Sequence, residues 1–301
     1  IVQRRGYYPA PPGWPADIPG IEYAGEVEAL GPGATRWRPG ARVMGLVGGG
    51  AQAEAVVVHQ DEALAVPEGI SFVEAAAIPE AFLTAYDALV TRGRLRAGER
   101  VLIHAAGSGV GTAAIQIARW LGATTLGTSR SGAKLERAKE YGLEHGIDTG
   151  AAGAGGFRDA VGDPGHVIRD VLGGAALADN LAVLASRGRL VLLGLLQGGR
   201  VEVDLNTIMR KRLEVIGTVM RTRPHGERVL LVREFAERML PLFSMLPHPQ
   251  PPLHGVERGP GGEAPLRPVV GATYPMTDLA RAHQAMEQNE TFGKVVLVWE
   301  D

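Results

Sequence analysis

The sequence predicts an α/β chain in which a doubly wound parallel sheet of six strands is joined to an irregular β domain. Three observations carry that expectation. Residues 1–86 hold short β-like runs parted by Gly and Pro clusters. Residues 100–220 alternate short apolar runs with helix-like stretches, the pattern of right-handed βαβ units. At 301 residues the chain is also longer than a single hydrophobic core usually supports, which favours two domains.

Along the chain, the first β-like runs lie at 22–30, 42–46 and 53–59. Apolar runs at 101–106, 124–128, 167–172, 190–195 and 213–219, with a weaker one at 145–149, then supply six strands, as a dinucleotide-binding sheet requires. Between the first two of these, Val110, Ala113, Ala114, Ile117, Ala118 and Leu121 recur at the spacing of one helix face. A helical stretch follows at 227–243. Residues 245–265 carry six prolines and four glycines, too many for a regular element, and are expected to form an exposed loop. A helix over 277–288 and a strand over 294–299 end the chain. The expected division is a β domain over 1–90 completed by 266–301, a nucleotide-binding domain over 91–244, and the loop 245–265.

Composition narrows the function classes. Apolar residues at 45% and charged residues at 21% are the balance of a soluble globular protein. A formal charge of -2 argues against a partner that needs a broad basic surface, such as nucleic acid or an anionic membrane. Cysteine is absent, which removes disulfides, thiol nucleophiles and thiolate metal sites and fits a reducing cytoplasm. No apolar run approaches the ~20 residues of a membrane span. The chain opens at Ile1 with no secretory pattern, and its first domain is expected to lack its N-terminal part.

The segment 101–111 joins a buried strand to a helix through Ala106, Gly107, Ser108, Gly109, Val110 and Gly111. Small residues there let the backbone approach a pyrophosphate and present N–H groups at the helix N-terminus. The pattern is not a strict G-x-G-x-x-G, because Ala106 and Ser108 replace its first two glycines; its weight comes from the strand before it and the amphipathic helix after it. About 20 residues further on, NAD-preferring sites hold an acid for the ribose hydroxyls. This chain instead has Ser129, Arg130, Ser131 and Lys134, which suit a 2′-phosphate and favour NADPH over NADH. Arg130 and Lys134 also admit a plainer reading, as solvated charges at the start of a helix.

These residues, with Gln3-Arg-Arg-Gly-Tyr-Tyr8, Gly20-Ile-Glu-Tyr-Ala-Gly25, Gly48-Gly-Gly-Ala-Gln52, Ala75-Ala-Ala-Ile-Pro-Glu80, Thr84 and Gly293-Lys-Val-Val-Leu297, spread over nearly the whole chain. Together they resemble the zinc-free quinone oxidoreductase branch of the medium-chain dehydrogenase/reductase superfamily. The resemblance implies a Rossmann sheet plus a GroES-like β domain, and a homodimer in which the sixth strands pair across a two-fold axis. Zinc-dependent relatives carry a Gly-His-Glu metal segment where this chain has Ile21 beside Glu22, so no metal is expected.

Without metal or thiolate, hydride transfer rests on the cofactor, with the protein supplying orientation, a dry cleft and donors to a developing oxyanion. The resemblance places Tyr8 and Ser108 near nicotinamide and substrate, Thr84 at the nicotinamide end, and Gly194, Leu195 and Met220 along the cofactor cleft. Tyr8 is the leading catalytic candidate, with a packing aromatic as its alternative; Ser108 is more a cofactor-loop residue than a proton donor. Departures from the family are Thr149, where many relatives have Tyr, Arg169 inside a strand expected to be buried, and the length of the 245–265 loop. The expected activity is zinc-independent hydride transfer from NADPH to a quinone or α,β-unsaturated carbonyl. The rival is an NADPH-binding structural or regulatory protein with little turnover.

Overall fold

The structure, a computed structural model, describes residues 1–151, 157–243 and 265–299, which form two compact units. Residues 1–84, 220–243 and 265–299 make the first and residues 85–151 and 157–219 the second. In chain order the strands are β1 (Glu22–Glu26), β2 (Arg42–Leu46), β3 (Ala63–Ala65), β4 (Arg100–Ile103), β5 (Thr124–Ser129), β6 (His145–Asp148), β7 (Gly165–Asp170), β8 (Leu184–Leu192), β9 (Glu214–Gly217), β10 (Val270–Pro275) and β11 (Lys294–Val298). The helices are α1 (Phe72–Ala75), α2 (Thr84–Tyr86), α3 (Gly109–Trp120), α4 (Gly132–Lys139), α5 (Ala176–Val183), α6 (Leu205–Lys211), α7 (His225–Arg238) and α8 (Leu279–Glu287).

In the first unit, β1, β2 and β3 form an antiparallel meander, with Glu22 opposite Leu46 and Met44 opposite Leu64. β10 and β11 form a separate parallel pair under α8. Two expectations are corrected here. Residues 53–59 form no strand, and the strand that pairs with β2 lies later, as β3 at Ala63–Ala65. The region up to residue 86 is also not purely β, because helical backbone runs from Pro79 to Arg92, as wide π-type turns on either side of α2. Phe82 of this stretch is buried against Phe243, ring centroids 4.7 Å apart, and anchors the core with Met44, Leu64, Ile78 and Phe235.

The second unit is a six-stranded parallel sheet of order β6-β5-β4-β7-β8-β9, the doubly wound Rossmann order. Leu102, Leu126, Ile168 and Leu190 from four strands fill one core layer with Leu181 and Leu184. Several strands, β4 and β7 among them, stop earlier than their apolar runs. β4 ends before Ala105, whose φ of 53° starts the loop, and β7 ends at Asp170, whose carboxylate accepts from the amides of Leu172 and Gly173. α3 carries the predicted stripe and buries the rest of its surface as well, Ile115 and Trp120 included, leaving only Arg119 exposed past its first turn. Residues 245–264 of the expected Pro/Gly-rich loop lie outside the described residues.

Candidate active site

The loop after β4 is built by close approach. A Cβ on Gly111 would sit 2.3 Å from the carbonyl oxygen of Ala105 and 2.7 Å from that of Ala106, so only glycine fits. A Cβ on Gly127 in β5 would lie 2.8 Å from the Ala106 methyl, which explains why both positions are small. Ser108 is the N-cap of α3: its Oγ accepts from the Gly111 N–H at 3.0 Å. The structure thus gives the Ser108 hydroxyl a capping role in the cradle. Orphan N–H groups at the start of a 12-residue helix, with backbone exposed by small residues, are the donor set a pyrophosphate requires.

Beneath this loop lies a buried polar chain that sequence reading did not find. His104, fully buried, meets Thr128 Oγ1 through Nδ1 at 2.9 Å and Asn180 Oδ1 through Nε2 at 2.7 Å. Asn180 Nδ2 donates to Asp170 at 3.0 Å. The amide's polarity assigns the proton to Nε2, leaving Nδ1 to accept from Thr128. Burial holds the His104 pKa down, with Asn180 and Asp170 opposing, so the ring stays neutral. Arg169, unexpected in a buried strand, belongs here too: it is 2% exposed, and its Nη1 donates to the His104 carbonyl at 2.6 Å. Burial lowers its pKa to about 10, with Asp170 opposing, and the guanidinium stays charged.

At the end of β5, Ser129 Oγ accepts from the Ser131 N–H at 3.1 Å and Arg130 is exposed. α4 begins at Gly132 with no side-chain cap on its first turn. Burial, and then the charges of Arg130 and Arg137, hold the Lys134 pKa below its usual value. Thr149 fastens to Ser129, its N–H donating to the Ser129 carbonyl at 2.8 Å. Gly194 and Leu195 follow β8. A Cβ on Gly194 would meet Val171 at 2.9 Å, while Leu195 is exposed.

Within the first unit, a cleft partly open to solvent is walled by Trp14, Ile21, Leu46, Val47, Met220 and Val232. Tyr8, Glu80, Arg221, Glu62 and Arg228 supply its polar groups. Tyr8 lies under the Arg221 guanidinium, 3.7 Å from the ring centroid. Burial and then Glu80 push the Tyr8 hydroxyl above its usual pKa, with Arg221 opposing, so it keeps its proton and can donate. Glu62 is held by Arg228 and His225, at 2.8 and 2.6 Å; burial favours its neutral form, but these partners outweigh burial and hold its pKa below the usual range. Thr84 is buried and donates to Glu80 at 3.3 Å. The structure thus gathers the glycine loop, Ser129, Arg130, Lys134, Gly194 and Leu195 in one unit, and Tyr8, Thr84 and Met220 in the other. In the sequence Glu80 is only the last residue of the Ala75–Glu80 motif, and a lone glutamate after proline carries no signal of its own.

Among the described residues no group of three His, Asp or Glu is placed to hold a metal, and no helix is long and apolar enough to cross a membrane. Residues 109–241 and 255–297 match zinc-binding dehydrogenase families, and residues 1–68 match the alcohol dehydrogenase GroES-like domain. A quinone oxidoreductase of Pseudomonas aeruginosa is 32% identical over 98% of this chain and 85% of its own. The quinone oxidoreductase of Thermus thermophilus, solved alone and with NADPH, aligns at TM-score 0.73 and 33% identity over 94% of this chain and 81% of its own. The CurK enoyl reductase aligns at TM-score 0.73 and 26% identity over 95% and 80%.

Proposed function

From a chain that belongs to the zinc-free quinone oxidoreductase branch of the medium-chain dehydrogenase/reductase superfamily, we propose an NADPH-dependent reductase of quinones or α,β-unsaturated carbonyls. The observation that carries the cofactor choice is the cluster of Arg130, Lys134 and Arg137 around the end of β5, where an NAD-preferring site would hold an acid. NADPH, when bound, supplies hydride. The chain's own residues do the rest: Gly107 to Gly111 and the capped start of α3 hold the pyrophosphate, while Ser129, Arg130 and Lys134 hold the 2′-phosphate. The apolar cleft walls exclude water from a flat conjugated acceptor, and Tyr8 donates to its oxygen.

A homodimer in the cytoplasm is part of this reading. Its support is that β9 forms one edge of the six-stranded sheet, with Val215 and Val219 exposed there and Leu205 and Met209 exposed on α6. The test is a fluorescence titration with NADPH and NADH, followed by NADPH oxidation with a quinone and enone panel. The expected result is at least about tenfold tighter NADPH binding, the weight of one phosphate contact, and turnover of at least one acceptor. Tight binding without turnover would favour a structural or regulatory role instead.

A further inference from the structure

Three charged side chains of the first unit meet beside the cleft: Glu22 from β1, Glu80 from the helical stretch beginning at Pro79, and Lys294 from β11. Both oxygens of Glu22 are committed. Oε1 pairs with Lys294 Nζ, and Oε2 accepts the Glu80 backbone N–H at 3.0 Å. Lys294 is therefore engaged with Glu22, and among the described residues the Glu80 carboxyl has only the neutral Thr84 hydroxyl, at 3.3 Å, as a hydrogen-bonding side-chain partner. Tyr8, which Glu80 influences electrostatically, and Arg221 line the same cleft as Glu80, as do Glu62 and Arg228, which pair with each other. Among the described residues two carboxyls share one ammonium, and the one that also lines the cleft, Glu80, has no cation paired to it alone.

We infer that Glu80 is the general acid of the reaction, delivering a proton to the acceptor oxygen that Tyr8 binds. The inference rests on the reductase reading. Hydride arriving on a quinone or enone leaves an oxyanion on the acceptor. The Glu80 O–H bond breaks, an O–H bond forms on that oxygen, and the Glu80 carboxylate is reprotonated by solvent. Two electrons come with the hydride from the reduced nicotinamide and none from the protein. Burial and the neighbouring Glu22 push the Glu80 pKa up to about 7, with Lys294 and Thr84 opposing, so near neutrality the group both holds a proton and releases it readily. Tyr8, whose proton is held more firmly, orients the oxygen rather than feeding it.

The experiment compares the wild-type chain with Glu80→Gln and Glu22→Gln by two readouts. The first needs no cofactor: binding of 2,4-dinitrophenolate, an oxyanion across the whole range, is followed by its absorbance from pH 5 to 9. Wild-type affinity is expected to fall as pH rises through about 7. Glu80→Gln should bind without that dependence, since the amide keeps a donor but does not titrate. Glu22→Gln should move the fall to lower pH, because the like charge is gone and Lys294 turns to Glu80. The second readout is the pH profile of kcat. Here Glu80→Gln should cost about 10²-fold or more, with KM little changed and the alkaline limb removed.

An alkaline limb that survives in Glu80→Gln, or phenolate binding independent of pH in the wild type, overturns the assignment. Should Glu80→Gln fail to fold, an unmoved limb in Glu22→Gln overturns it equally. A wild-type chain that shows the phenolate limb but reduces neither class of acceptor overturns the reductase reading, and the acid role with it. Failure of the limb alone, with turnover intact, overturns only Glu80.

Discussion

Replacing Gly111 with alanine tests the glycine loop at its tightest point. The new Cβ would fall 2.3 Å from the Ala105 carbonyl oxygen and 2.7 Å from that of Ala106, the first about 1 Å short of ordinary contact, and backbone cannot swing aside as a flexible side chain can. Ala105 already sits at a φ of 53°, so the loop has little slack in which to yield. Overpacking of this kind costs about 1–3 kcal/mol, which should appear as a lowered unfolding midpoint in urea. Shifting the loop also withdraws at least one backbone N–H from the pyrophosphate. A hydrogen bond to a charged group contributes about 1.5–3 kcal/mol, so NADPH affinity should weaken by roughly 10- to 150-fold. NADH shares the pyrophosphate and should weaken by a similar factor, which separates this loop from the 2′-phosphate site. Wild-type affinity for both nucleotides in a variant that is plainly destabilised would refute the cradle. An unchanged midpoint would refute the packing argument beneath it.

Further outcomes follow from the same geometry. Reversing the charges in Arg130→Glu with Lys134→Glu should weaken NADPH by at least about tenfold and leave NADH nearly unchanged, in a two-nucleotide fluorescence titration. Glu62→Gln should destabilise the first unit by about 1.5–3 kcal/mol at neutral pH by loosening Arg228 and His225. Because Glu62 is depressed in the folded state, its stabilisation is present above the ordinary carboxylate pKa of about 4.3 and is lost as pH falls through the folded value. Urea curves of wild type and variant should therefore converge in acid. Asn180→Ala strands the buried His104 N–H and one Asp170 oxygen, and should cost about 1–3 kcal/mol, read by chemical denaturation.

What the sequence made legible depended on how far apart the cooperating residues are. α3 was readable because its stripe and the small residues that start it lie within 20 residues, and the same local chemistry, a serine three before a glycine, makes the cap. β2 matched its apolar run to the residue because partners on both sides fix its length. The helical stretch from Pro79 to Arg92 was hidden for the opposite reason. Ala81, Phe82, Leu83, Ala85, Tyr86, Ala88 and Leu89 are all buried, so the run shows no amphipathic period and helix cannot be told from buried strand. Residues 53–59 show the limit of β propensity: a β-like run becomes a strand only where tertiary contacts bring it a partner.

The polar sites show the same limit more sharply. His104 just after β4, Asp170 at the end of β7 and Asn180 within α5 come from three separate elements of the second unit, and each alone is an ordinary polar residue among apolar ones. Arg169 is intelligible only once the His104 carbonyl is known to face it. Glu22, Glu80 and Lys294 span 272 residues. In the sequence Glu22 invites comparison with a metal segment, Glu80 ends the Ala75–Glu80 motif, and Lys294 opens a terminal strand. No periodicity or spacing rule joins them, because what matters among them is a charge balance, two carboxyls against one ammonium, that exists only after folding removes water from around it. A pKa near 7 on a glutamate is therefore a property of the fold. It should disappear on unfolding, when Glu80 returns to the ordinary carboxylate range of about 4.3. That difference has a sign: Glu80 binds its proton more tightly when folded, so its contribution to stability is fully present below pH about 4.3 and is lost as pH rises through about 7. Above neutrality the first unit therefore carries an unrelieved carboxylate beside its cleft, and Glu80→Gln should be relatively more stable than wild type at pH 9 than at pH 5.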